Sequence, residues 1–195
     1  MRNSAKAWVV LVGILVALIL VVVIGIGWYI SGYNKAVRLD EGVSTAWSNV
    51  DATLQRRLDL VPNLVNTVKG YAEHEQELFT SIAQSREKYF QANTPAAKME
   101  ASNQLTGFLS RLLVLQERYP DLKANQNFRD LQAALEGTEN RINVARQRYN
   151  DAVRVLNTYC REFVGSFFCE RAGVEPAEYF EASEQAKGEA PAVEF

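Results

Sequence analysis

The sequence predicts an all-α protein, with an N-terminal transmembrane helix followed by an elongated antiparallel bundle of about four helices. Three observations predict it. Residues 8–30, opening on Trp8 and closing on Ile30, contain no charged or strongly polar side chain. Beyond them apolar residues recur at spacings of three and four, the period of one helix face. No strand-like alternation competes, and the prolines fall between periodic stretches rather than inside an alternating one.

The first element follows from length. A bilayer's hydrocarbon core is about 30 Å thick and a helix rises about 1.5 Å per residue, so about 20 apolar residues span it. Sixteen residues of the run are Val, Leu or Ile, each favouring insertion by roughly 0.3 to 0.6 kcal/mol near the helix centre. A cleaved signal peptide is the rival reading, because Arg2 and Lys6 resemble a positive n-region. The run exceeds the roughly 7 to 15 residues of an h-region, however, and no small-residue cleavage site closes it. Trp8 at one end and Trp28-Tyr29 at the other fit interfacial belts. The lipid bilayer is therefore the first expected partner, through Trp8 to Ile30. Orientation stays open: Arg2, Lys6 and the free amine stand against Lys35 and Arg38, while Asp40 and Glu41 count for little.

After the anchor, Tyr33, Val37, Val43, Trp47, Val50, Leu54, Leu58 and Val61 form the first stripe. Val61-Pro62 predicts an interruption with Asp59 capping a restart, or else a kinked continuous helix. Leu64, Val68, Tyr71, Leu78, Ile82 and Tyr89 mark a second stripe that ends near Gln91-Ala92-Asn93. Thr94-Pro95 supplies a cap and a first-turn proline for a third, carried by Met99, Leu105, Phe108, Leu112 and Leu115 and slightly weakened by Gly107. Tyr119-Pro120-Asp121 is the next break. The last stripe is the strongest: Phe128, Leu131, Leu135, Thr138, Ile142, Ala145, Tyr149, Ala152, Leu156, Tyr159 and Phe163. A helix of that length is about 50 to 60 Å long. Val164-Gly165 is expected to end it. A short amphipathic tail through Phe167-Phe168, Gly173, Pro176 and Tyr179-Phe180 follows, then a loose stretch at residues 187–191. The expected organisation is a flank at 1–7, the span at 8–30, the bundle at 31–164 and the tail at 165–195.

Composition removes several functions. Lys plus Arg number 21 against 23 Asp plus Glu, a net charge of −2 with both signs interspersed, whereas nucleic-acid binding needs a clustered basic face. Arg56-Arg57 reads as a solvated helix face. Cys160, Cys169 and the single His74 give no metal-ligand spacing. Free thiols are the expectation for the cysteines, since nine residues of straight helix hold their Cα atoms roughly 13 Å apart and a bridge needs less than about 7 Å. A disulfide requires the chain to turn between them.

Four clusters invite sharper readings. Tyr71, His74 and Glu75, about one turn apart on the second stretch, could pair a histidine with a carboxylate. No second histidine follows at the zinc-protease spacing, so pairing of Glu75 with a neighbouring helix is the preferred reading. Glu136-Gly137-Thr138-Glu139-Asn140-Arg141 places a glycine mid-helix, about 1 kcal/mol worse than alanine. Close helix approach is expected to offset it, with Glu139 or Arg141 bonding to Arg56-Arg57 or Asp51; a polar contact surface for another protein is the alternative. Trp47 reads as core. Phe167, Phe168, Tyr179 and Phe180 are expected to dock on the bundle, the alternatives being the membrane surface or a partner. No catalytic, cofactor-binding or metal-ligating residue is assigned.

Several strings are shared with a known family. Tyr33-Asn34, Ala46-Trp47-Ser48-Asn49-Val50-Asp51, Leu54-Gln55-Arg56-Arg57, Asp59-Leu60-Val61-Pro62-Asn63-Leu64-Val65 and Thr67-Val68-Lys69-Gly70-Tyr71-Ala72-Glu73-His74-Glu75 resemble the LemA family of bacterial membrane proteins. The similarity resumes at Glu117-Arg118-Tyr119-Pro120-Asp121-Leu122-Lys123-Ala124, Asn127-Phe128, Leu131-Gln132, Leu135-Glu136-Gly137-Thr138-Glu139-Asn140-Arg141-Ile142, Ala145-Arg146 and Tyr149-Asn150, and Pro191, Val193 and Phe195 look like the family's C-terminal pattern. The chain departs from that pattern after Phe163, with Val164 in place of proline and Phe167-Phe168-Cys169 in place of an aliphatic stretch. The resemblance implies a single-pass anchor and a four-helix domain, and it carries over no reaction and no site residue.

The function expected is that of a non-enzymatic single-pass protein of the bacterial inner membrane whose bundle is an interaction or membrane-organising scaffold. An unidentified membrane or membrane-associated protein is the second expected partner, and self-association is compatible with the long helix faces. The alternative is a sensory or signalling module that binds a small ligand or relays helix movement across the membrane.

Overall fold

The computed structural model describes residues 2–180, and for residues 2–7, 9 and 10 the backbone alone. The loose stretch at 187–191 and the C-terminal Pro191, Val193 and Phe195 lie outside the described residues, as do the side chains of Arg2 and Lys6. Among the described residues all regular structure is helical: α1 (Arg2–Lys69), α2 (Gln76–Gln91), α3 (Pro95–Arg118), α4 (Pro120–Ala124), α5 (Gln126–Arg161) and α6 (Phe163–Ala172). The all-α expectation holds, and α1 carries the one segment among them long and apolar enough to cross a membrane.

α1 runs through Pro62 without a break. Proline lacks the amide that would bond to the carbonyl four residues back, here that of Leu58, and Leu58 is fully buried. A donor from another helix fills the gap: Arg86 Nε of α2 bonds to the Leu58 carbonyl at 3.3 Å. Of the two readings of Val61-Pro62, the continuous helix is therefore correct, and Asp59 caps nothing. The real break comes at residues 70–75. There the Tyr71 and Ala72 amides close back on the Val68 carbonyl at 2.9 and 3.0 Å, and Ala72 is wholly buried.

The described residues form two compact units, one of residues up to Gly42 with Arg154–Ala177, the other of Val43–Val153 with residues from Glu178. The second unit is a four-helix bundle. Its core draws Val50, Leu54, Leu58, Val61, Leu64 and Val68 from α1, Phe79, Ile82 and Tyr89 from α2, Leu105, Leu109, Leu112 and Leu115 from α3, and Phe128, Leu135, Ile142 and Tyr149 from α5. Fully burying such a side chain stabilises by roughly 1.5 to 3 kcal/mol. Cross-helix bonds fix the directions. Asp51 meets Tyr89, and Leu58 meets Arg86, so α2 runs against α1. Glu75 meets Arg118 at 3.0 Å, so α3 runs against α2. Trp47 meets Tyr149 and Arg57 meets Glu139, so α5 runs against α1. The stripes depart from their expected register at several places: in α1 Ala36 is buried while Tyr33 and Val37 are exposed, in α2 Phe79 rather than Leu78 is buried, in α3 Leu109 rather than Phe108, and in α5 Val153 rather than Ala152. Thr94 caps α3 as expected, accepting from the Ala97 amide at 3.2 Å.

In the first unit the expectation for the cysteines is overturned. Cys160 and Cys169 form a disulfide with Cα atoms 5.6 Å apart. The long helix ends at Arg161, not at Val164-Gly165, because Glu162 is extended and turns the chain into α6. Phe163, Val164 and Gly165 thus open α6 instead of closing α5. Gly165 lies against the Tyr159 carbonyl, where a Cβ would sit 1.8 Å from the oxygen. At its other end α6 stops on Gly173, in the left-handed region at φ 67°, with the Val174 amide bonded to the Cys169 carbonyl at 2.9 Å.

Candidate functional site

The most concentrated polar chemistry lies inside the bundle. Arg57 is 3% exposed, because Leu54, Leu58 and Val61 on the same face of α1 carry it into the core. A buried guanidinium is costly unless its donors are met; among the described residues those on Nη1 and Nη2 are met and Nε has no partner. Nη1 donates to Thr106 Oγ1 and to Glu139 Oε2, both at 2.9 Å. Nη2 donates to the Ser102 carbonyl at 3.2 Å and to the Ser102 hydroxyl. One side chain of α1 thereby ties together α3 and α5. Burial lowers the Arg57 pKa, and the charge and hydrogen bond of Glu139 oppose that shift.

A second node sits two turns earlier on α1. Asp51 Oδ1 accepts from the Tyr89 hydroxyl at 2.6 Å and from Lys98 Nζ at 2.7 Å, joining α1, α2 and α3. Burial alone would raise the Asp51 pKa, but the hydrogen bonds from Lys98 and Tyr89 and the Lys98 charge outweigh it and hold it below the usual carboxylate value. Burial first, then Asp51 as acceptor and as charge, pushes the Tyr89 phenol far up. A carboxyl whose folded pKa is depressed contributes stability above its unfolded pKa and loses it as pH falls through the folded one. A phenol whose folded pKa is raised contributes below its unfolded pKa and loses it as pH rises. The bundle is therefore expected to weaken below about pH 4 and again above about pH 10. Asp51→Asn should flatten the acid limb in urea melts taken across that range; an unchanged acid limb would contradict the assignment.

A third node faces the chain after α6. Arg146 Nη2 donates to Asn103 Oδ1 at 2.9 Å, and its guanidinium lies 4.0 Å from the centre of the Phe180 ring. Asn150 holds the Phe180 backbone on both sides, accepting from its amide at 2.8 Å and donating to its carbonyl at 3.0 Å. Within the other unit Asn157 grips Ala177 in the same way, at 2.9 and 2.8 Å. Asn150 enters the sequence reading only in the shared Tyr149-Asn150 string, without a role, and Asn157 not at all. Both lie at edges of the strongest stripe, where a polar residue is unremarkable, and only an extended segment laid beside the helix gives them a role.

Several expectations resolve against this geometry. Arg56 is exposed and fits a solvated face, whereas Arg57 does not. Glu139 pairs with Arg57 as anticipated, while Arg141 is exposed. Close helix approach at Gly137 is not found, since a Cβ there would meet nothing within 4 Å. Thr138 is buried and bonds its own helix at the Ala134 carbonyl. Tyr71, His74 and Glu75 are not turns of a helix; they lie in the α1–α2 connection, with His74 exposed. Tyr71 Oη accepts from Asn125 Nδ2 at 2.9 Å, and Glu75 pairs with Arg118. Trp47 is half-buried and meets the Tyr149 ring edge-on at 5.6 Å. Phe180 docks on the bundle as expected; Phe168 is buried as well, but against Trp28 and Tyr29 at the end of the apolar span and not on the bundle, and Phe167 and Tyr179 are exposed. An open groove of about 610 Å³ between α2 and α3 is lined by Glu75, Leu78, Phe108, Arg111, Val114 and Arg118, among others.

Known proteins resemble this chain in sequence. A model of the LemA family matches residues 46–195. The magnetosome proteins MamQ 1 and MamQ 2 of Paramagnetospirillum magneticum are each 25% identical over 206 aligned residues, covering 92% of this chain and 75% of theirs. Protein LemA of Metamycoplasma hominis is 24% identical over 157 residues, covering 80% of this chain and 72% of its own.

Proposed function

This chain belongs to the LemA family, and from that premise we propose that it is a non-enzymatic, membrane-anchored interaction scaffold whose bundle faces the extracytoplasmic side of a bacterial inner membrane. The observation that carries the scaffold reading is how the buried Arg57 and the half-buried Asp51 are used. Arg57 and Asp51 are each committed to bonds between different helices, which fixes register and so fixes the pattern of side chains on the outer faces. The relatives' names support the same class, since magnetosome protein names a cellular structure and not a reaction.

The side rests on the Cys160–Cys169 disulfide. Such bonds persist in oxidising compartments and are rare where cytosolic thiol buffers act. The positive charges of Arg2 and Lys6 on the N-terminal flank do not oppose that orientation. Intact cells treated with a membrane-impermeant maleimide should show no labelling of the chain until an impermeant phosphine has reduced it. Labelling that instead requires lysis would put the bundle in the cytosol. Capture of the full chain from solubilised membranes, beside a chain lacking residues 1–30, tests the scaffold: enrichment of a partner with neither would end it. Ligand sensing is the second reading, favoured by the α2–α3 groove; a small molecule that raises the melting temperature and is lost with Arg111→Glu would replace the scaffold reading.

A further inference from the structure

α6 is an apolar helix with two apolar faces, and among the described residues only one of them is covered by protein. Its inner face, Gly165, Phe168 and Cys169, is buried. Phe168 packs edge-on against Trp28 at 5.1 Å and Tyr29 at 5.8 Å, and Phe167 meets Tyr29 at 6.5 Å. The ring of Phe168 occupies the space above Gly32, where a Cβ would lie 2.1 Å from it. Tyr159, just before the turn into α6, donates its hydroxyl to the Gly32 carbonyl at 3.1 Å. α6 is thus fixed at the level of residues 28–32 of α1.

That level has a physical meaning once α1 is read as the membrane span. Residues 8–30 cover about 34 Å of helix against a hydrocarbon core of about 30 Å, so residues 28–32 lie at its edge. On the outer face of α6, Phe163 is 94% exposed, Val164 43% and Phe167 41%. At about 100° per residue these three fall within one sector of roughly 100°. Arg171 shares that sector and stacks its guanidinium 5.5 Å from the centre of the Phe167 ring, and Lys35 lies 4.4 Å from the centre of the Tyr159 ring. Aromatic bodies with cations beside them suit the zone between acyl chains and headgroups.

We propose that α6 is a second membrane contact, a surface helix that sets Phe163, Val164 and Phe167 into the boundary of the leaflet from which α1 emerges. The occupant of this face is lipid, on the strength of its continuity with the end of the span. With Arg161 and Arg171 balanced by Glu162 and Glu170 around it, the contact is apolar insertion rather than attraction to anionic headgroups. The inference rests on the reading of α1 as the anchor.

The test uses the full chain in vesicles of phosphatidylcholine and phosphatidylglycerol, with the photo-crosslinker benzoylphenylalanine placed in turn at Phe163, Phe167, Leu18 and Glu41. Leu18 is mid-span and Glu41 lies eleven residues beyond Ile30, about 16 Å further along the helix. Irradiation should add the mass of one phospholipid at positions 163, 167 and 18 and not at 41. Adducts at 18 without adducts at 163 and 167, or adducts there to protein instead of lipid, overturn the surface helix and leave the anchor standing. Absence of lipid at 18 overturns the anchor and with it the inference.

Discussion

Replacing Arg57 by alanine is expected to lower the stability of the bundle by about 3 to 5 kcal/mol, the combined scale of an unmet buried polar group and a large-to-small void. The loss has two parts. The Ser102 hydroxyl, on a residue 1% exposed, loses its donor and cannot be rehydrated without opening the core, at about 1 to 3 kcal/mol for an unsatisfied buried group, while the Ser102 carbonyl keeps the Thr106 hydroxyl at 3.0 Å. The volume of the guanidinium and its stem becomes a void between α1, α3 and α5. Glu139 should suffer less, because its side chain is 38% exposed and water can reach it. The two halves of one ion pair are therefore unequal in kind: Arg57→Ala strands no buried charge, whereas Glu139→Gln leaves a guanidinium 3% exposed without its counter-charge, so Glu139→Gln should also cost more than an ordinary surface pair. Arg57→Lys should not rescue, since an ammonium cannot reproduce the fork that serves Thr106, Glu139 and Ser102 together. Urea melts of the full chain in detergent, followed by helical circular dichroism, give all three values. A cost below about 1 kcal/mol for Arg57→Ala would place it with ordinary surface pairs and remove the register argument.

What the sequence conveyed follows from which interactions are local. The span at residues 8–30 and the stripes of α3 and α5 were legible because periodicity and caps act within one helix. The break at Pro62 was misleading for the opposite reason. Whether a helix survives an internal proline depends on what meets the orphaned carbonyl, and here that is Arg86, 28 residues away. The true break at residues 70–75 carries only Gly70 as a local signal, and its position is set by Ala72 sinking into the core. Arg56 and Arg57 are chemically identical neighbours, and nothing local tells the solvated one from the buried one. A helical phase of about 100° decides it, and the stripe through Leu54, Leu58 and Val61 contains that phase. The disulfide was illegible because the spacing of Cys160 and Cys169 suits a bridge only after a turn, and the turn depends on Gly165 meeting a backbone oxygen in space.

That same contact sets the second large effect. Gly165→Ala would place a methyl carbon 1.8 Å from the Tyr159 carbonyl oxygen and 2.8 Å from its carbon, well inside any tolerated approach. Overpacking commonly costs about 1 to 3 kcal/mol when side chains can yield. Here the obstacle is backbone in the last turns of α5, held by the Tyr159 hydroxyl on Gly32 and by the Glu162 amide on the Thr158 and Tyr159 carbonyls. The hairpin must open, so the expected cost is at the upper end, about 3 kcal/mol. Opening separates the cysteines, so the disulfide should be reduced faster by dithiothreitol, by about a hundredfold for that cost at about 1.4 kcal/mol per tenfold. Gly173→Ala is the contrasting variant. It strains a left-handed residue but meets nothing within 4 Å, so it should cost about 1 kcal/mol and leave the hairpin closed. If both variants reduced at the wild-type rate, the contact between Gly165 and Tyr159 would not be what closes the α5–α6 turn. If only Gly165→Ala reduced faster, the glycine, and not the disulfide, would be what makes the turn, with the bond locking a geometry that packing had already reached.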